Sequence, residues 1–522
     1  MSTDVTFTTN PSDYQKLEGL YVAERGPTGF IRAADLSTTG LAARCVRGPD
    51  APQVITNVGR FLDIYGARDF GAGGAVIGQA WAALLNKAFG TLVIQRVRAS
   101  DAVAASFTLE TAAGGAGTAV LRVDASSVGL WGNNVSVNVS AATDANANHF
   151  NLTAQYLGKQ FVFPNIDISA TNVDNTALVI GSDVATVITL TKLANGRPVN
   201  TTASTDGADA NAFIALGQTA IAGFTGVAGT EGTLAVTDYN AGVNTLAAFP
   251  GVSVVLVPEI VAGSAATFHS NLVTLSSTVA DRIFLTWAQA HGQSVSTEVT
   301  QVGTQITTRT DRIVWCYNSP FTIDPSTSQE LQQGPHVWLG SILSQVDVDI
   351  HAGSFQTQAL LAGCTRVTNT SLTRGDLIAL KNAGISTLER LKNGFQFRSA
   401  VTTSLTPGKT ELARRRMADF LQLSAADRLV TYVKGKNVPE TRALMGSELT
   451  AFSVGLQVAG RVIAKDDPTA GKGFSVDQVT GNTPAQRAQG EEHILWRVRL
   501  IGHMLALVFD TDISTGTVVQ TQ

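Results

Sequence analysis

Residues 253–258 read SVVLVP, residues 282–287 RIFLTW and residues 312–317 RIVWCY. Each run is apolar and rich in β-formers, too short for a helix and without the alternation of a half-exposed strand. Each is therefore expected to be a buried strand. The segments between them have room for helices, and buried strands separated by helices make an α/β layer. Further upstream, Ile77, Trp81, Leu84, Leu85 and Ala88 recur at helical spacing, which places one apolar stripe on a helix over residues 76–89. Gly71, Gly73 and Gly74 precede that helix, Gly90 stops it, and residues 92–97 read as another buried strand. A short strand candidate covers residues 20–22. Together these make a β–α–β unit of an α/β core.

Between residues 100 and 205 the composition changes. Short Val-, Thr- and Ile-rich runs at 119–123, 135–139, 177–180 and 184–190 alternate with clusters of Asn, Asp, Gly and Ser. Regular short strands with turn punctuation predict a β-rich module inserted into the core. Beyond residue 362 the chain is more charged and more helical. Thr373 is an expected N-cap for a helix ending before Gly384, and residues 411–423 predict a second helix with Leu412, Phe420 and Leu423 on its apolar side. Residues 494–509 are rich in strand formers, and residues 513–519 form a last strand candidate. The expected fold is a multi-domain chain: an α/β core, an inserted β-rich domain and an α+β C-terminal domain. The expected boundaries are an N-terminal arm at 1–24, a core at 25–99 plus 206–365, an insert at 100–205, a C-terminal domain at 366–509 and a C-terminal arm at 510–522.

The 522 residues are 44% hydrophobic and 15% charged, enough for several buried cores. A net charge of −4 points to neither nucleic acid nor an anionic membrane. The distribution is uneven: residues 99–281 hold 4 basic and 13 acidic side chains, residues 374–499 hold 19 basic and 12 acidic. An acidic and a basic region suit charge-complementary packing between copies or onto a partner. Cys45, Cys316 and Cys364 are widely spaced and form no CxxC pair, which predicts neither a disulfide framework nor a structural zinc site. The N-terminal residues lack the order of a secretory signal, and the uncharged stretch 210–230 lacks the Leu, Ile and Phe density of a membrane span. A soluble protein is expected.

Motifs that carry chemistry are weak. Gly408-Lys409-Thr410 resembles the end of a phosphate-binding loop, but Thr403 stands where the first glycine belongs. The seven histidines show no HxxxH spacing, and His493 beside Glu491 and Glu492 reads as a solvated charged cluster. No GxSxG elbow occurs. Arg414, Arg415 and Arg416 are consecutive and so splay around a helix, which favours a solvated or protein-facing patch over a nucleic-acid site. No catalytic residue, metal or cofactor is expected.

Several stretches in order resemble the tail-sheath proteins of contractile bacteriophages and related injection machines. They are residues 20–24, 41–49 (LAARCVRGP), 54–66 (VITNVGRFLDIYG), 76–89 and 91–97, then Gly129-Leu130-Trp131-Gly132-Asn133-Asn134-Val135. Residues 317–325, Gln333-Gly334-Pro335 with Gly340-Ser341-Ile342, and 370–391 continue the match. Two departures stand out: Gly334-Pro335 replaces a common pair of prolines, and Tyr317-Asn318-Ser319-Pro320 replaces a common Tyr-Pro-Trp element. The resemblance implies a non-enzymatic subunit forming stacked hexameric rings around a tail tube and contracting to drive that tube through a cell envelope. It implies a homo-oligomer with tail tube, baseplate and tail terminator partners, no direct nucleic acid and no membrane. The implied location is a virion tail assembled in the bacterial host cytoplasm. Strand exchange would use Leu17, Leu20, Tyr21 and Val22 at one end and Ile513, Val518 and Val519 at the other. A tube-facing patch would hold Arg414, Arg415, Arg416, Lys434 and Lys436. The competing readings are a β-rich surface or adhesin protein, the sheath of a non-phage injection system, and an α/β enzyme with an unrecognised site.

Overall fold

The computed structural model describes residues 5–7, 20–22, 31–66, 91–112, 117–168, 187–201, 213–218, 225–279, 281–323, 328–354, 363–392, 394–480 and 482–503. They fall in two bodies, one of residues 35–415 and one of residues 1–34 with 416–522. The expected helix over 76–89, its preceding glycines and the strand candidate at 177–180 lie outside the described residues.

The three apolar runs are central strands. An eight-stranded sheet has the order Gly394–Ser399, Ile385–Leu391, Ile313–Tyr317, Ile283–Trp287, Val254–Leu256, Thr38–Arg44, Thr91–Val97 and Gln53–Ile55. The inner strands run parallel, and Gly394–Ser399 and Gln53–Ile55 pair antiparallel at the two edges. Side chains alternate between two separate cores, as the strand period of two requires. Leu41, Leu285, Val314 and Cys316 join one core with Trp338, Leu339 and Leu343 of helix Pro335–Gln345. Ala42, Val255, Phe284 and Trp315 join the other, against Val243, Leu272, Val302 and Leu380. Those four come from helices Val236–Ala248, Ala265–Thr278, Val295–Gln305 and Arg374–Asn382.

Helix Pro335–Gln345 starts with Pro335 in its first turn, where a missing N–H costs nothing, and is buried along almost its whole length. The expected cap at Thr373 is present. Its hydroxyl accepts from the Asp376 backbone N–H, the Asp376 carboxylate accepts from the Thr373 N–H, and Gly384 follows at φ +76°. At Asn318 the backbone enters the left-handed region, which asparagine tolerates. Its Nδ2 donates to the carbonyls of Asn369 and Leu388, and its Oδ1 accepts from Asn369 N, so one side chain stitches three segments.

The β-rich region consists of two antiparallel four-stranded sheets. One has the order Lys159–Asp167, His149–Tyr156, Ser136–Ala141, Ile214–Ala215. The other has Ile188–Lys192, Ala119–Ala125, Ser106–Glu110, Thr225–Val227. Phe107, Leu121, Val137, Phe150 and Leu152 share one core. Because Ile214–Ala215 and Thr225–Val227 supply strands to these sheets, the region runs past the boundary expected at 205. Its tie to the central sheet combines the Gly48 N–H donating to Ser127 Oγ, Val46 packing against both cores and two cations. Arg96, on strand Thr91–Val97, donates to the carbonyls of Cys45, Val46, Gly48 and Val128. The Arg47 guanidinium lies over the Trp131 and Tyr156 rings. Trp131 is the buried anchor expected, within the short 3-10 turn Leu130–Asn134. Gly132 is required there because an added Cβ would come within 2.7 Å of Ala125 Cβ.

The expected C-terminal domain at 366–509 is divided differently. Residues 374–399 complete the central sheet and its helical cover, and the boundary between bodies falls at 415/416 within helix Leu412–Leu429. Strand pairing, which sequence composition does not encode, assigns them. The second body contains helix Pro439–Val458 and the antiparallel pair Phe474–Asp477 with Leu495–Val498. Ile31, Ala425 and Leu449 form one of its buried clusters, with Phe452 and Trp496 packed against them.

Candidate functional site

Open strand edges are the first place to look for assembly chemistry, because unpaired backbone N–H and C=O groups template another strand. Leu20, Tyr21 and Val22 form a strand as expected, but it belongs to the body of residues 1–34 with 416–522 and is no part of the central sheet that holds Thr91–Val97, which corrects its place in a β–α–β unit of the core. It pairs parallel with Val5–Phe7, in the register Val5↔Leu20 to Phe7↔Val22. A two-stranded sheet of three residues a side is at most marginally stable by itself. Leu17, Ile513, Val518 and Val519 lie outside the described residues. In the same body the pair Phe474–Asp477 and Leu495–Val498 is a sheet of two strands among the described residues.

The five basic residues are not equivalent. Arg414 is exposed, and its Nε donates to Glu411 Oε2 at 3.1 Å. Arg415 has only 15% of its side chain exposed and pairs with Asp311 at 3.2 Å. Arg416 is 2% exposed. Lys434, at φ +67°, and Lys436 are exposed. Three consecutive arginines as one surface patch must therefore be corrected. Successive helix positions turn by about 100°, so one of the three faces solvent, one an ion-pair partner and one the interior. Arg414 and Arg415 also belong to the body of residues 35–415, and Arg416, Lys434 and Lys436 to the other.

The remaining motifs resolve into structure. Gly408-Lys409-Thr410 sits in a turn closed by Lys409 N to Thr406 O and Thr402 N to Thr410 O. His493 Nε2 lies 3.7 Å from Glu491, while Glu492 pairs with Arg487 at 3.2 Å. Cys45, Cys316 and Cys364 are free thiols, and burial pushes Cys45 and Cys364 up to about 12. Among the described residues no group of three or more His, Cys, Asp or Glu side chains is placed to hold a metal, and no helix is long and apolar enough to cross a membrane.

Sequence reasoning missed a set of buried polar residues beside the central sheet. His269 contacts Gln305 Oε1 at 2.6 Å and Thr286 Oγ1 at 2.7 Å, and burial pushes it down to about 4. His336 Nε2 donates to Val257 O at 2.7 Å, and burial pushes this ring down to about 3. Both rings are held neutral. Glu298 Oε1 accepts from Trp315 Nε1 at 2.8 Å, and burial pushes its carboxyl up to about 7. No spacing rule marks these positions. The one available signal was a His or Glu on the apolar side of its helix, as in Phe268-His269 ahead of Leu272.

No known protein-family profile matches the sequence, and no curated protein matches it. Solved structures do match in fold. A sheath tail protein from Listeria innocua superposes with a TM-score of 0.61 at 13% identity, covering 89% of this chain and 95% of that one. A sheath tail protein from Desulfitobacterium hafniense gives 0.56 at 14% identity, covering 88% and 93%. The helical sheath of the anti-feeding prophage in its contracted state gives 0.52 at 10% identity, covering 96% and 100%. This chain has the fold of contractile sheath proteins over most of its length.

Proposed function

We propose that this chain is the structural subunit of a contractile sheath. It polymerises as stacked hexameric rings around a tail tube and contracts to drive that tube through a target envelope. One observation carries the reading: near end-to-end likeness to three sheath structures, at 88–96% of this chain. The internal chemistry agrees with a mechanical role, since the buried histidines are spent on hydrogen bonds within the core. Strand exchange by both terminal arms ties neighbours together. The arm strand Leu20–Val22 is held by a three-residue pairing that a longer edge can replace, and the pair Phe474–Asp477 with Leu495–Val498 offers such an edge. Stored lattice strain supplies the stroke, so no nucleotide is required. The partners are further copies of the chain, the tube, and the baseplate and terminator at the two ends. Exposed Arg414, Lys434 and Lys436 meet an acidic tube surface through contacts of ~0.2–1 kcal/mol each, weak enough to slide. The β-rich region lies on the outside, and the particle is a phage tail or a related extracellular injection system.

Electron microscopy of the concentrated protein tests this reading: hollow cylinders are expected. Deleting residues 1–22 or 511–522 should leave folded monomer by circular dichroism and abolish the cylinders. Cylinders of normal length from either truncation would exclude strand exchange. Monomers alone from the intact chain at every concentration would exclude the sheath.

A further inference from the structure

Helices Val236–Ala248, Ala265–Thr278 and Val295–Gln305 lie side by side over one face of the central sheet, the second packed between the other two. Their inner sides supply Val243, Leu272 and Val302 to the core. Their outer sides carry no charge. Every exposed position on the three is Ala, Gly, Ser, Thr or Asn, and none of these helices holds a lysine or an arginine. The two acidic residues they contain are committed elsewhere. Asp238 caps its own helix, its Oδ2 accepting from Ala235 N, and Glu298 is 2% exposed, bonded to Trp315.

About a quarter of the residues of a soluble domain are charged, and nearly all of them sit on its surface. The next helix of the same layer, Arg374–Asn382, follows that rule, with Arg374 and Lys381 exposed. It bounds an uncharged face three helices wide. That face is also cheap to dry. Thr245 Oγ1 donates to Ala241 O at 2.9 Å, Thr274 Oγ1 to Ser270 O at 3.1 Å, Thr300 Oγ1 to Ser296 O at 2.9 Å and Thr304 Oγ1 to Thr300 O at 3.1 Å. Hydroxyls bonded to their own helix keep that bond when water leaves. Asn271 Nδ2 donates to Asn244 Oδ1 at 3.1 Å and ties the first two helices together at the surface. Small side chains also lose little rotamer freedom when a second surface closes on them.

Size and charge decide what covers this face. Helices of this length run roughly 16–21 Å, and three of them spaced roughly 10 Å apart present roughly 500 Å². Two such surfaces together bury roughly 1,000 Å², enough for a specific protein interface. Nucleic acid and an anionic membrane call for a basic surface, and this one has no base. A charged protein surface would lose its water here without gaining an ion pair, so an acidic tube does not fit either. We propose that this helix face is a docking surface between copies of this chain, covered in the assembly by an uncharged surface of a second copy. The inference rests on the sheath reading, in which copies of the chain surround each subunit. Contact with the same face of the second copy closes a dimer, and contact with a different face builds a ring or a helix.

Thr245→Lys, Thr274→Lys and Thr300→Lys each put one charge at an exposed position, one on each helix. Lysine is the better helix former, so the monomers should keep the parental circular dichroism and Tm. Each variant should raise the protein concentration needed for half-maximal assembly, read by sedimentation, by at least about tenfold, because an ammonium would be dried without a partner. Thr189→Lys makes the same charge change at an exposed position of the second β-rich sheet and should leave that concentration unchanged. Thr274→Cys reports coverage directly: its alkylation by a maleimide should be at least about tenfold slower in assembled than in dissociated protein, and that of Thr189→Cys should not slow. Parental assembly by all three lysine variants, an equal loss from Thr189→Lys, or undiminished alkylation of Thr274→Cys would overturn the docking face and leave the sheath reading standing. Finite oligomers in place of cylinders, dissociated by the same lysines, would keep the docking face and overturn the sheath. Monomers alone at every concentration would overturn both.

Discussion

The central sheet and the β-rich region are both built from short strands, yet they obey different sequence rules. Strand Ile283–Trp287 is buried at every position, because helices cover both faces. Strand His149–Tyr156 alternates between buried and partly exposed positions, because its sheet turns one face to the core it shares with the second sheet. The first therefore reads as a solid apolar run and the second as Phe150, Leu152, Ala154 and Tyr156 separated by polar residues. A buried strand announces itself by composition alone, and a half-exposed one only by period.

This contrast can be broken experimentally, and the largest expected effect is in the central sheet. Trp315 is fully buried between His269 and Glu298. Trp315→Ala should cost about 4 kcal/mol, read as a lower urea midpoint. A loss below about 1 kcal/mol would mean that the sheet is not the stability centre.

Acid should also strike the central region first. His269 and His336 are held neutral by burial, with pKa values down to about 4 and about 3, and His291 is lowered by the same cause. For these groups the unfolded chain takes up protons first as pH falls from about 6.5, so stability drops towards pH 4. Glu298 works the other way. Its carboxyl, raised to about 7, makes stability fall as pH rises from about 4.5 to 7, which offsets about one histidine. The net loss between pH 6.5 and 4.5 should be about 3 kcal/mol, and Glu298→Gln should steepen it. A flat profile in both proteins would show that the rings are solvated.

Arg96 joins the two regions. Arg96→Met leaves four carbonyls without their donor and should cost about 2 kcal/mol. It should also split thermal unfolding into two steps, with the β-rich region melting first. A single unshifted transition would show that the regions are coupled by other contacts.

The smallest effect tests the contrast itself. Val314 in the central sheet has no exposed surface, and Val162 in the β-rich region is 58% exposed. Val314→Thr buries a hydroxyl and should cost about 1.5 kcal/mol, whereas Val162→Thr should stay within about 0.5 kcal/mol. Equal effects would erase the distinction.

Legibility followed the same physics. The three apolar runs, the Thr373 cap with Gly384 and the Trp131 turn were readable because each is a local pattern with a local cause. The end of the β-rich region was not readable, since Ile214–Ala215 and Thr225–Val227 are too short and too plain to register as strands before they pair. The basic patch failed for a related reason: adjacent charges in sequence say nothing of which way a helix turns each one. Ordered motifs gave the sheath resemblance, and the fold agrees with it along the chain.

By itself, then, the sequence determined the class of each segment, because hydrophobic period, caps and glycine positions act within a few residues. Only the tertiary structure decided that residues 374–399 close the central sheet, that Arg416 is buried while Arg414 is exposed, and that Glu298 is buried against Trp315. Those outcomes depend on which distant surface each residue meets. A carboxyl such as that of Glu298 is pushed up to about 7 only after a folded wall has removed its water.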